Sequence, residues 1–143
     1  MKGGFRNRLF LYQLTVVFSV IFALAGFSYN VWRMEVSERN NNIRTASFEM
    51  LLTLSDLEQL VYSAHYDGDR REGSPRKGWV KVGLIADLAL LTNQPVADQA
   101  QLLRTTWEKH WNGMADSRES ADSIVTAIDA VRRELKQGLV GLE

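Results

Sequence analysis

The sequence predicts an all-α protein: an N-terminal single transmembrane helix continuing into a compact, up-and-down, four-helix extracytoplasmic bundle. Three observations predict it. Residues 9–32 carry no charge. Two long segments beyond them repeat apolar residues at alternating spacings of four and three, the helical period. Two shorter segments of the same kind lie between, joined by short stretches of turn-forming residues, a pattern that packs most simply as a bundle.

Composition narrows the function classes. With 143 residues, 45% hydrophobic and 24% charged, the chain suits one ordered domain. It has no cysteine, which excludes disulfides, cysteine-ligated zinc, iron–sulfur clusters and thiol catalysis. Net charge is zero but unevenly spread: removing Lys2, Arg6 and Arg8 from the 17 basic residues leaves 14 against 17 acidic ones. A mildly acidic body is a poor general binder of nucleic acid, and none is expected as a partner.

Residues 1–8 read as a short cytoplasmic tail. The run 9–32, "LFLYQLTVVFSVIFALAGFSYNVW", reaches ~36 Å at ~1.5 Å per residue, enough for a hydrocarbon layer of ~30 Å, so membrane lipid is its expected partner. Thr15 and Ser19 are tolerated there because a hydroxyl can bond back to the preceding helical turn. Phe10 and Tyr12 near one edge, with Tyr29 and Trp32 near the other, suit the headgroup level. The basic flank keeps the N-terminus cytoplasmic, which puts residues 33–143 in the periplasm of a bacterium, anchored in the inner membrane. The alternative is a cleavable signal over residues 1–25, with Ala23, Leu24 and Ala25 as its small-residue site.

The first bundle helix is expected over about 35–66, with Ile43, Ser47, Met50, Leu54, Leu57, Val61 and Ala64 as its inward stripe after a polar stalk. The second, about 75–92, offers Trp79, Val82, Ile85, Leu88 and Leu91, although Gly78 and Gly83 each cost about 1 kcal/mol in a helix and "WVKV" alternates like a strand. The third, about 95–112, begins at Pro95 and turns Val96, Ala100, Leu103, Trp107 and Trp111 inward. The last, about 118–142, carries a heptad-like seam of Ala121, Ile124, Ile128, Val131, Leu135, Leu139 and Leu142 that can be satisfied within one chain or in a homo-oligomer. Asp116 with Glu119 forms one capping box at its start, and Ser117 or Ser120 serves as well.

Candidate site residues concentrate around "HYDGDRREGSPRKGW", residues 65–79. If the first helix projects from the membrane for about 34 residues, this elbow lies ~50 Å out, and by alternation of direction so does the turn after Trp111. Tyr62, Tyr66, Trp79, Trp107 and Trp111 would meet there as an aromatic cap, a structural role. His65, Asp67, Asp69 and His110 compose a divalent-metal or pH-responsive set, opposed by the neighbouring Arg70 and Arg71. Arg70, Arg71, Arg76, Lys77 and Lys81 against Glu72 make a local excess of four positive charges, suited to an anionic ligand or acidic partner. Ser74 can cap a helix starting at Pro75, yet Arg76 and Lys77 then sit in a first turn where the dipole favours anions.

No G-x-S-x-G, His-Glu-x-x-His or phosphate-loop motif occurs, so neither catalysis nor a cofactor is expected. Asp87, Asp98, Glu108, Asp122, Asp129 and Glu134 interleave with basic residues as solvated helix surface does. The expected function is that of a single-pass membrane protein whose bundle binds another protein, as an accessory or assembly subunit of an envelope complex. The alternative is a sensor bundle that binds a small anion or metal and acts through a separate partner.

Overall fold

The computed structural model describes residues 3–141, with side chains from Arg8 onward; Lys2, the side chain of Arg6 and the seam residue Leu142 lie outside the described residues. It is all-helical: α1 (Gly3–His65), α2 (Pro75–Ala89), α3 (Gln94–His110) and α4 (Arg118–Val140), with no strand among the described residues. The chain divides into two compact units, Met1–Arg39 and Asn40–Glu143.

The described residues of the first unit are helix alone. No proline interrupts them, and two of their hydroxyls bond back to the preceding turn: Thr15 Oγ1 donates to Leu11 O and Ser19 Oγ to Thr15 O, both at 2.8 Å. Every side chain from Leu9 to Trp32 is exposed. By length and composition this is one helix apolar enough to cross a membrane.

The second unit holds a core to which all four helices contribute. From α1 come Met50, Leu54, Leu57, Val61 and Ala64; from α2, Val82, Ile85 and Ala89; from α3, Val96, Ala100, Leu103 and Trp107; from α4, Ala121, Ile124, Ile128, Val131 and Leu135. These positions follow the 3.6-residue period because a helix has only one stripe to bury against its neighbours. Of the expected α4 seam, Ala121 to Leu135 is therefore buried within the chain, while Leu139 is half-buried.

Trp79 departs from the expected pattern on α2. It is 37% exposed, while Gly78 takes the inward position and Leu91 lies exposed beyond the helix. The reason is volume. Trp107 of α3 is fully buried, and a Cβ on Gly78 would stand 2.2 Å from its Cη2 and Cζ2, so only glycine lets α2 approach the indole.

The connections are held by local chemistry. Past α1, Gly68 takes a left-handed φ of 62°, and Asp69 N–H donates back to Ser63 O at 3.0 Å. Ser74 occupies the N-cap of α2 without a side-chain cap bond, contrary to its expected role; Pro75 follows at the first helical position. Asn93 caps α3, accepting from Val96 N–H at 3.1 Å. At α4 the capping choice falls on Ser117, which accepts from Ser120 N–H at 3.3 Å, rather than on Asp116. Met114, in the α3–α4 turn, is buried and joins the core.

Candidate functional site

The elbow, residues 66–74, is a knotted turn built on the end of α1. The Asp69 carboxylate accepts from the N–H groups of Arg71 and Glu72 at 2.8 and 3.1 Å, and Gly73 N–H donates to Asp69 O at 2.8 Å. Those two backbone bonds hold the Asp69 carboxyl below the usual carboxylate range, because they favour the charged form. A Cβ on Gly73 would lie 2.6 Å from the backbone of Ala64, so glycine is what allows the elbow to press on the helix.

The residues read as a metal or pH-responsive set do not converge. Asp69 is committed to its own turn, and Asp67 is exposed. His65 Nδ1 lies 3.1 Å from Met114 O and 3.2 Å from Ala115 O; carbonyls only accept, so Nδ1 carries the proton and the imidazole ties α1 to the α3–α4 turn. His110 Nδ1 is instead 3.3 Å from Ser120 Oγ. Among the described residues no group of three or more His, Asp or Glu is placed to hold a metal.

The aromatic residues divide into two groups instead of one cap. Trp79 meets Trp107 and Trp111 edge-on, with ring centroids 6.4 and 6.5 Å apart. Tyr62, Tyr66 and His65 form a separate ladder along α1, Tyr62 to Tyr66 at 5.8 Å and His65 to Tyr66 at 4.7 Å. Trp107 Nε1 is the buried side-chain polar atom left without a hydrogen-bond partner among the described residues.

The five basic residues also separate. Lys77 pairs with Glu72 at 3.2 Å and Lys81 with Asp56 of α1 at 2.8 Å. Arg70, Arg71 and Arg76 make no ion pair among the described residues, and Arg70 lines a recess of about 240 Å³ with Ala64, Gly73, Pro75, Trp111 and Met114. A larger, open groove of about 880 Å³ runs between the outer faces of α3 and α4, from Leu102 and Thr106 to Ser123 and Ala127.

One polar network was not anticipated. Arg132 of α4 donates to Glu58 of α1 at 2.7 Å and also to Asp129, while Tyr62 Oη donates to Glu58 Oε1 at 3.1 Å. Burial disfavours the Arg132 charge, but the bonds and charges of Glu58 and Asp129 outweigh it and raise its pKa; burial, then Glu58, raises that of Tyr62. The only hint in the sequence is the i,i+3 spacing of Asp129 and Arg132. The other expected surface charges behave as such, with Arg104–Glu108 at 3.6 Å and Arg118–Asp122 at 3.5 Å.

Comparison of the chain with known protein families, with curated proteins and with solved structures finds no match.

Proposed function

We propose that this chain is a single-pass protein of the bacterial inner membrane, its N-terminus cytoplasmic and its four helices running up and down as a periplasmic bundle. The bundle serves as a protein-interaction, accessory or assembly subunit of an envelope complex, without catalysis of its own. The observation that carries the reading is the apolar run 9–32, every side chain of which is exposed. Water disfavours apolar surface by roughly 25 cal/mol per Å², and lipid removes that cost. Lys2, Arg6 and Arg8 on the N-terminal side set the orientation. The apolar core fits a scaffold: the only buried polar residues among those described are Ser47 and Thr53, and the Thr53 hydroxyl is returned to Glu49 O.

A second reading, a periplasmic sensor of a small anion, is favoured by the recess beside Arg70 with its apolar floor of Ala64, Trp111 and Met114. The two separate by experiment. Crosslinking in intact membranes followed by mass spectrometry should recover a protein neighbour, and replacing Arg70, Arg71, Arg76 and Lys77 with serine tests whether the elbow holds it. Calorimetric binding of a small carboxylate or phosphate, lost in Arg70→Ser, supports the sensor instead. Mature protein that starts at Gly26 and washes free in carbonate overturns the anchor.

A further inference from the structure

The heptad seam that the sequence left open to intermolecular pairing, on α4, is consumed inside the chain from Ala121 to Leu135. The face of α1 opposite its core stripe carries a second seam. Phe48, Leu52, Ser55, Gln59, Tyr62 and Tyr66 recur at alternating spacings of four and three from residue 48 to residue 66, and every one of them is exposed. This is the repeat that lets one helix supercoil with another. With Leu52, Gln59 and Tyr66 at the a positions and Phe48, Ser55 and Tyr62 at d, the core stripe Met50, Leu54, Leu57, Val61 and Ala64 falls on c and f, on the far side of the helix.

We infer that α1 pairs in parallel with α1 of a second copy of this chain, through the seam 48–66. The occupant follows from charge and area. Of the acids that flank the seam, Glu58 pairs with Arg132 at 2.7 Å and Asp56 with Lys81 at 2.8 Å within the chain, and Glu49 falls at an e position that a parallel register sets opposite Arg44. A second copy therefore meets little like-charge repulsion. In a parallel register each g residue faces the e residue five positions on, which sets Leu51 opposite Asp56 and Glu58 opposite Ser63, with no pair of like charges.

Phe48, Leu52, Tyr62 and Tyr66 are 60%, 65%, 40% and 62% exposed. Large side chains of this kind cover about 150–250 Å² each, so the seam offers on the order of 400 Å² per copy. A free-standing dimer needs about 800 Å² per partner. The seam alone falls short, and a membrane tether closes the gap by confining both copies to one plane in one orientation and raising their effective concentration. The parallel register thus rests on the anchored reading above.

The chain is free of cysteine, so Leu52→Cys or Ser55→Cys introduces a single thiol. Full-length protein in phosphatidylethanolamine–phosphatidylglycerol vesicles is oxidised and the disulfide-linked dimer measured against Leu102→Cys, an exposed position on α3. Paired a or d positions lie within the ~7 Å Cα separation that a disulfide requires, so both seam variants should crosslink about 10-fold more than the control. Leu52→Lys added to Ser55→Cys should abolish the crosslink while leaving the thermal midpoint unchanged, since residue 52 lies outside the core. Seam yields no higher than Leu102→Cys, or a yield indifferent to Leu52→Lys, overturn the pairing. Carbonate extraction of the same material keeps the two readings apart: a pelleted chain that fails to crosslink overturns the pairing alone, and a washed-out chain that still crosslinks supports the pairing and overturns the anchor.

Discussion

Gly78→Ala should destabilise this protein even though the same change at Gly83, one and a half turns along α2, should stabilise it. In a helix interior, alanine is preferred to glycine by about 1 kcal/mol because glycine loses more backbone freedom on folding. At Gly83 nothing lies within 4 Å of the added Cβ, so the helix gain is realised. At Gly78 the Cβ would stand 2.2 Å from Trp107 Cη2 and Cζ2. Ordinary carbon contacts lie at about 3.5–4.0 Å. Trp107 is fully buried, so the indole has no solvent into which to retreat.

Overpacking of this kind costs about 1–3 kcal/mol, and the depth of the overlap places it at or above the upper end, for a net loss of about 2 kcal/mol after the helix gain. In a body of about 100 residues that lowers the melting midpoint by roughly 10 °C, whereas Gly83→Ala raises it by about 4 °C. Near-UV circular dichroism of Trp79, Trp107 and Trp111 in detergent micelles, with Trp32 replaced by Phe, reports this transition. Trp107→Leu in the Gly78→Ala background should recover part of the loss, so the two changes together cost less than their sum. If Gly78→Ala matched or exceeded the wild-type midpoint, the account of α2 resting on the Trp107 indole would be refuted.

Arg132→Met should cost about 1–2 kcal/mol in urea denaturation, because it leaves the half-buried Glu58 without its cation, and adding Glu58→Gln should restore part of the loss. The raised pKa of Tyr62 makes its neutral phenol the form the fold prefers; its contribution is present below the ordinary tyrosine pKa of about 10 and fades as pH rises through the folded value. The urea midpoint should therefore fall as pH rises above about 10, and Tyr62→Phe should flatten the fall. Asp69 has the opposite sign: its folded pKa is lowered, so its contribution is present above about 4 and is lost as pH falls through the folded value. Limited proteolysis at the elbow should quicken in acid, and Asp69→Ala should show the fast rate already at neutral pH, with Asp69→Asn, the neutral counterpart of the protonated acid, falling between the two.

Sequence alone determined what depends on one helix at a time. Among the described residues, the four helices and the absence of strands followed from apolar spacing, and the stripes of α1, α3 and α4 could be named because periodicity along a helix needs no knowledge of its neighbour. Even "WVKV" resolved as helix, since an isolated strand has no partner for its backbone groups. The uncharged run 9–32 was legible for the same reason, being a property of length and composition.

Tertiary structure decided everything that needs two elements at once. Whether α2 turns Trp79 or Gly78 inward depends on the volume Trp107 already occupies on α3. The charges on Glu58 and Arg132 look like any solvated pair until packing sets their helices side by side. His65 and His110, grouped by residue type, were parted because each found a partner of its own, the Met114 and Ala115 carbonyls for one and the Ser120 hydroxyl for the other. Periodicity marks which side of a helix avoids water; only packing in three dimensions says which atoms it meets there.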